Sequence, residues 1–171
     1  SSYSFGSGVL AGGSGDDVYN MSVSDVTIPD FAKFTADFGK IIEKPGEGID
    51  TLSVKYVRGV LIEAKLPANV ENLSLYDRVD TGVGNSLDNI ISAYTTFNVS
   101  LFGLAGNDTL KGSFYDDTLD GGTGNDILQS ASMMTRTSSL RDIDTVSGGK
   151  GDDIYYADTS DKIIENKHEG V

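Results

Sequence analysis

Five segments of this 171-residue chain share one nonapeptide pattern, with glycine at the start, an acid at position six and an apolar residue at position eight. They are GGSGDDVYN from Gly12, GLAGNDTLK from Gly103, GSFYDDTLD from Gly112, GGTGNDILQ from Gly121 and GGKGDDIYY from Gly148. The last four begin at multiples of nine residues from one another. Such a period predicts a solenoid, because a fixed repeat returns each position to the same place on every coil.

Each nonapeptide divides into a turn and a strand. Paired glycines in the first six residues tolerate positive φ and let neighbouring backbones approach, and the last three residues alternate as a short strand. Two nonapeptides make one coil, so units eighteen residues apart are expected to stack. The position-eight residues should form one buried ladder, made of Leu110, Leu119, Leu128, Thr137, Val146 and Tyr155.

Stacking of the coils predicts a cation site at position six. It places Asp108 above Asp126 at one inter-strand spacing, about 4.8 Å, where bare carboxylates repel. An ion midway lies about 2.4 Å from each oxygen, which is a calcium distance, whereas magnesium needs shorter bonds and keeps its waters. Zinc is disfavoured because the chain has no cysteine and one histidine.

With these residues the chain resembles the secreted RTX proteins, whose calcium-binding repeats follow the consensus G-G-x-G-x-D-x-U-x with U apolar. The resemblance implies an all-β fold, a right-handed parallel β-roll or β-solenoid of glycine-aspartate nonapeptides that holds several Ca²⁺ ions in its turns. It also implies two kinds of ligand, stacked aspartates and turn carbonyls. The aspartates are Asp17, Asp108, Asp117, Asp126, Asp144 and Asp153, and the carbonyls lie around Gly106, Gly121, Gly122 and Gly124.

The segment 130–147 leaves the register open, because it lacks the glycines but is two nonapeptides long. In one arrangement it is a degenerate coil that stacks Asp144 on Asp126. In the other it bulges out whole, so that Asp117 pairs with Asp153. Asp108 and Asp126 stack in both.

A longer repeat overlies the short one. The unit at Gly12 recurs at Gly148, and the sequence KIIE at Lys40 recurs at Lys162, with offsets of 136 and 122 residues. The first copy therefore carries 14 extra residues, 26–39. We favour a surface excursion that packs its own aromatic side chains, and the alternatives are a short amphipathic helix or a loop capping the spiral.

Beyond this insert, GNSLDNIIS from Gly84 has Asn89 at the acid position and should continue the same spiral with wider turns and weaker metal sites. We expect the chain to be a piece of a longer tandem array, because its second long copy ends where the first continues into Asp50. Four regions follow from the repeats: a first repeat block at 1–25, an insert and connecting β segment at 26–83, an RTX β-roll at 84–156 and the start of the next long repeat at 157–171.

Composition and the absence of known catalytic motifs narrow the range of possible functions. The 26 acidic and 13 basic residues give a net charge of −13, which argues against nucleic acid and anionic membrane surfaces as partners. No apolar run is long enough to insert in a bilayer. The chain lacks HExxH, GxSxG and Walker sequences, and its single histidine, His168, lies near the end, so we expect no enzymatic activity.

The expected function is a calcium-stabilised structural segment of an RTX protein. The resemblance implies type I secretion to the outside or surface of a Gram-negative bacterium, with calcium and neighbouring repeats of the parent chain as partners. An adhesin or surface-layer parent is favoured. The alternatives are a C-terminal folding and secretion module of a secreted protease, lipase or polysaccharide-modifying enzyme, and a carbohydrate-binding module for a glycan or surface ligand.

Aromatic side chains bear on the glycan alternative, although we favour core or sheet-face packing for them. They are Tyr3, Tyr94, Phe97, Phe102, Phe114, Tyr115, Tyr155 and Tyr156.

Overall fold

The computed structural model describes residues 2–4, 10–23, 34–36, 41–56, 62–130, 142–165 and 170. These residues form fifteen strands. The strands are β1 (Ser2–Ser4), β2 (Val18–Val23), β3 (Phe34–Ala36), β4 (Thr51–Tyr56), β5 (Ile62–Lys65), β6 (Asn72–Asp77), β7 (Val79–Val83), β8 (Ile90–Thr95), β9 (Ser100–Ala105), β10 (Thr109–Lys111), β11 (Thr118–Thr123), β12 (Ile127–Gln129), β13 (Thr145–Lys150), β14 (Ile154–Tyr156) and β15 (Lys162–Ile164). Within the described ranges, no helix is long and apolar enough to cross a membrane.

The strands lie in two parallel sheets between which the chain alternates from β4 onward. Sheet one has the order β1-β2-β4-β6-β8-β10-β12-β14, and sheet two has the order β15-β13-β11-β9-β7-β5-β3. A coil therefore consists of one strand from each sheet joined by two turns. This is a parallel β-solenoid of the roll type, which confirms the predicted fold class, and the pairing of Thr109 with Ile127 confirms the eighteen-residue stacking there.

The core is formed by apolar side chains in equivalent positions of successive strands. The predicted single ladder is in fact two ladders, one from each sheet, because successive nonapeptides alternate between sheets. The sheet-one ladder is Tyr19, Leu52, Leu73, Ile91, Leu110, Leu128 and Tyr155, and the sheet-two ladder includes Leu101, Leu119 and Val146. Each fully buried aliphatic member contributes roughly 1.5–3 kcal/mol. Thr137 lies outside the described residues.

The register across the glycine-poor segment differs from both predicted arrangements. Thr118 pairs with Thr145 and Ile127 pairs with Ile154, a separation of 27 residues instead of 18 in both sheets. Asp144 therefore follows Asp117 in its stack, and Asp153 follows Asp126. The paired strands are nine residues further apart in sequence here than in the eighteen-residue coils, and the apolar ladders of both sheets stay in phase. Residues 131–141 lie outside the described part.

The insert also differs from the prediction where it is described. Phe34–Ala36 is strand β3, paired with Ile62–Ala64 in sheet two, so the predicted surface excursion, helix or capping loop is wrong for these three residues. Parallel pairing to a neighbour satisfies their backbone groups as in any other coil. The remaining residues of 26–39 lie outside the described part. In contrast, the unit at Gly84 does continue the spiral, because β8 lies between β6 and β10.

Candidate metal centre

A column of polar side chains runs along one side of the spiral. We call it the first acid column, and it consists of the residue immediately before each sheet-one strand from β2 onward. Its members are Asp17, Asp50, Glu71, Asn89, Asp108, Asp126 and Asp153. The parallel pairing of the strands brings these side chains above one another, so that six acids and one amide share one edge of the roll.

Hydrogen bonds join successive members of the first acid column. The backbone N–H of Asn89 donates to Oδ1 of Asp108 at 2.7 Å, that of Asp108 donates to Oδ1 of Asp126 at 2.7 Å, and that of Asp126 donates to Oδ1 of Asp153 at 2.8 Å. Each carboxylate thus uses one oxygen to bind the preceding coil. Asp17 donates in the same way to Oδ1 of Asp50 at 2.8 Å.

The second oxygens of Asp108 and Asp126 are available for another ligand. Their Oδ2 atoms are buried and have no hydrogen-bond partner, although the side chains are only 1% and 0% exposed. A buried carboxylate oxygen without a hydrogen-bond partner destabilises the folded chain unless it meets a donor or a cation.

Glycines let these oxygens lie close to the backbone. A Cβ built on Gly103 would collide with Oδ2 of Asp108 and lie 2.5 Å from the carbonyl oxygen of Gly121. A Cβ on Gly121 would collide with Oδ2 of Asp126 and lie 2.7 Å from the carbonyl oxygen of Gly148. Each of these glycines therefore lies close both to a carboxylate oxygen of its own coil and to a carbonyl oxygen of the next. Hard oxygen donors of this kind fit calcium.

The turns require glycine for a second reason. Gly106, Gly122 and Gly124 have φ values of +116°, +103° and +132°, which side-chain-bearing residues rarely adopt. A Cβ on Gly124 would also collide with the carbonyl oxygen of Gly106 on the neighbouring coil. Leu104 occupies the position of Gly122 one coil earlier and is held at φ +80°. The predicted carbonyl ligands thus lie where coils approach most closely.

A second acid column lies at the opposite turns, before the sheet-two strands, and consists of Asp117, Asp144 and Asp161. The N–H of Asp117 donates to Oδ1 of Asp144 at 2.7 Å, and the N–H of Asp144 donates to Oδ1 of Asp161 at 3.1 Å. Oδ2 of Asp144 is buried without a hydrogen-bond partner. Both oxygens of Asp117, in contrast, accept hydrogen bonds from Ser113, and Oδ1 also accepts the N–H of Val99 at 2.8 Å, so this carboxylate is satisfied by its own turn and by the preceding coil.

Burial makes these acids hard to ionise. Burial, together with the charge of a neighbouring acid, Asp126 and Asp117 respectively, raises the pKa of Asp108 and of Asp144 to about 7. The pKa of Asp126 and of Asp117 rises to about 6, again mainly through burial. A bound divalent cation removes this penalty, because it stabilises the charged form.

The structure brings the predicted acids together in three groups. Asp108, Asp126 and Asp153 share the first column, Asp144 follows Asp117 in the second, and Asp17 lies with Asp50 near the other end of the first column. The sequence analysis missed the side chains of Glu43, Asp50, Glu71 and Asp161. Asp50 and Glu71 carry a signal that was overlooked, since each directly precedes an alternating strand, TLSV or NLSL.

Comparison with protein families matches the RTX calcium-binding nonapeptide repeat, in four copies, to residues 102–131 and 140–161. The matched segments contain the acids of both columns from Asp108 to Asp161. Neither the curated proteins nor the solved structures gave a match to the chain.

Proposed function

Because this chain is an RTX-type repeat protein whose nonapeptides bind several calcium ions, we propose that it serves as a calcium-locked structural segment of a large extracellular protein of the adhesin or surface-layer kind. The observation that carries the proposal is the stack of Asp108 on Asp126. Each has one oxygen bonded to the preceding coil and the other buried without a hydrogen-bond partner beside a glycine carbonyl.

The proposed ligands follow from this arrangement. Ions lie between successive turns of the first column, held by Oδ2 of Asp108 and Asp126 with carbonyls around Gly106, Gly121, Gly122 and Gly124. Asp153 continues the series, Asp144 anchors an ion on the opposite side, and Asp17 holds one near the start. Asp117 is the weakest of the proposed ligands, because Ser113 already satisfies its carboxylate.

A mechanical role suits a chain of this form. In a solenoid each coil contacts only its neighbours, so stiffness depends on every coil-to-coil junction. The net charge of −13 opposes compaction until cations bind. RTX repeats are typical of secreted extracellular proteins, and sites in extracellular modules bind calcium at about 10⁻⁴–10⁻³ M, so the segment would stay loose during export and stiffen outside the cell.

We retain two finer parts of this proposal. The parent is exported from a Gram-negative bacterium by type I secretion, and the four regions 1–25, 26–83, 84–156 and 157–171 are successive parts of one tandem array. A tail of a secreted enzyme would have the same local structure but a catalytic domain elsewhere in its parent.

Force spectroscopy on tandemly linked copies of the chain tests the mechanical role. The force needed to unfold each copy should rise several-fold from chelator to calcium, and magnesium should not substitute for calcium. An unfolding force that is independent of calcium would refute the proposal.

A glycan-binding function is the second candidate, favoured by one groove of about 520 Å³. Tyr94, Phe114 and Tyr115 line it together with Lys111 and Gln129, and the three aromatic side chains are 59%, 51% and 37% exposed. Exposed rings beside polar groups suit the stacking of a sugar. Affinity of the calcium-loaded chain for an oligosaccharide, lost in Tyr94→Ala, would support this function, and absence of binding across a glycan array would remove it.

A further inference from the structure

Three buried acids converge near the end of the first acid column that lies by the isolated nonapeptide at Gly12. Asp17 precedes β2, Asp50 precedes β4, and Glu43 lies between these strands in sequence. One carboxylate oxygen of each lies within 4.8 Å of the others, and the side chains of Asp17, Glu43 and Asp50 are only 4%, 6% and 1% exposed. Glu43 and Asp50 belong to no nonapeptide, so the repeat pattern does not account for this cluster.

Hydrogen bonding leaves part of the cluster unsatisfied. Oε1 of Glu43 accepts the N–H of Gly12 at 2.9 Å and the hydroxyl of Tyr19. Oε2 of Glu43 is buried and has no hydrogen-bond partner. Asp50 uses Oδ1 to accept the N–H of Asp17. The glutamate is thus held in place through one oxygen while the other remains available.

We propose that Asp17, Glu43 and Asp50 form a calcium site of a second type, in which side-chain carboxylates from three separate segments supply the ligands. Three buried carboxylates so close together repel strongly unless a cation lies among them. A cage of hard oxygens favours calcium over magnesium, which dehydrates reluctantly, and over zinc, which prefers nitrogen and sulfur ligands.

Part of this arrangement recurs in the second long repeat. Tyr155 occupies the place of Tyr19, since its hydroxyl contacts Glu165 and accepts the N–H of Gly148 at 2.8 Å. Gly148, Asp153 and Tyr155 follow Gly12, Asp17 and Tyr19 by 136 residues.

The local geometry recurs as well. A Cβ on Gly12 would collide with Oδ2 of Asp17 and lie 2.5 Å from the Tyr19 hydroxyl. A Cβ on Gly148 would collide with the corresponding atoms of Asp153 and Tyr155. Glycine, aspartate, tyrosine and glutamate therefore form a unit of the long repeat, in which Glu43 is buried and Glu165 is exposed.

Counting bound ions tests the site. Native mass spectrometry of the calcium-loaded chain should find one ion fewer in Glu43→Gln than in the unmodified chain, because glutamine keeps the oxygen that accepts from Gly12 but loses the charge. Glu47→Gln is the matched control, since this residue lies in the same segment and its carboxylate contacts Lys44 at 3.1 Å. The control should retain all ions.

A double variant shows whether the acids share one ion. Asp50→Asn and Glu43→Gln should each remove one ion, and the two together should also remove only one. Equal ion counts in Glu43→Gln and the unmodified chain, or the loss of two ions in the double variant, would overturn the proposal.

A second measurement tests the site even if the variants are less stable than the unmodified chain. The slope of unfolding free energy against the logarithm of calcium concentration reports the ions released on unfolding, and it should fall by one ion in Glu43→Gln. An unchanged slope would refute this site while leaving the nonapeptide sites intact. A zero slope in the unmodified chain would refute calcium binding altogether, so the two failures are distinguishable.

Discussion

Replacing Asp126 by asparagine should change the stability of the chain in opposite directions with and without calcium. Asparagine keeps the size of the side chain and an oxygen that can accept the N–H of Asp108, now 2.7 Å away. It removes one charge between two acidic neighbours, Asp108 and Asp153. The variant therefore isolates the charge from the hydrogen bond.

The two effects can be estimated from the stacking. At an inter-strand spacing of about 4.8 Å, each like-charge pair costs about 0.9 kcal/mol at the dielectric of water, so the loss of two pairs stabilises the chelated chain by about 2 kcal/mol. In calcium the same change removes an anionic ligand, and breaking a buried ion pair costs about 3–5 kcal/mol. Asp126→Asn should therefore be more stable in chelator and less stable in calcium than the unmodified chain.

Urea unfolding followed by circular dichroism measures both free energies. The pH should be about 8, above the raised pKa values of Asp108 and Asp126, so that both acids are charged in the absence of calcium. An osmolyte such as trimethylamine N-oxide keeps the chelated chain folded. Asp77→Asn is the matched control, because among the described residues the carboxylate of Asp77 makes an exposed ion pair with Lys55 at 3.7 Å, and such pairs contribute about 0–1 kcal/mol. A shift of the same sign in both conditions for Asp126→Asn would refute the reasoning.

Three further outcomes are expected. Leu104→Gly should raise the free energy of unfolding by about 1 kcal/mol, because glycine relieves a φ of +80°, and no change would contradict the assigned turn. Gly124→Ala should lower it by roughly 1–3 kcal/mol, since its φ is +132° and a Cβ would collide with Gly106, and unchanged stability would count against this close approach. In chelator, stability should fall as pH rises from about 4 to about 7, because the folded chain binds protons at Asp108 and Asp144 that the unfolded chain has released, and a pH scan showing the reverse would contradict their burial. In saturating calcium, stability should instead rise with pH over this range, because protons then compete with the ion for the carboxylates.

Much of the roll follows from the period alone. A nine-residue repeat with glycine first and an acid at position six predicts the stack of Asp108 on Asp126 and the buried positions of Leu110 and Leu128, because coil geometry repeats with the sequence. The sequence also places Asn89 correctly as a continuation of the column. Every one of these inferences depends on contiguous or nearly contiguous repeats.

Prediction fails where the period is interrupted. Both proposed registers for 130–147 kept or removed whole coils, whereas the structure pairs strands that are 27 residues apart in both sheets. The register of strand pairing depends on contacts between residues that are 27 apart, such as Asp117 and Asp144. The local sequence does not reveal these contacts. Glu43 was missed for a related reason, because only the folded chain brings it beside Asp17.

Calcium-dependent ordering is the most direct test of the account, since the same stacked acids that repel in the bare chain clamp the coils once ions bind. Far-UV circular dichroism of the chain, recorded first in chelator at about pH 8 and then in saturating calcium, should change from a largely disordered spectrum to a β spectrum. Saturating magnesium should leave the disordered spectrum in place. An identical, fully ordered β spectrum in chelator and in calcium would contradict the account.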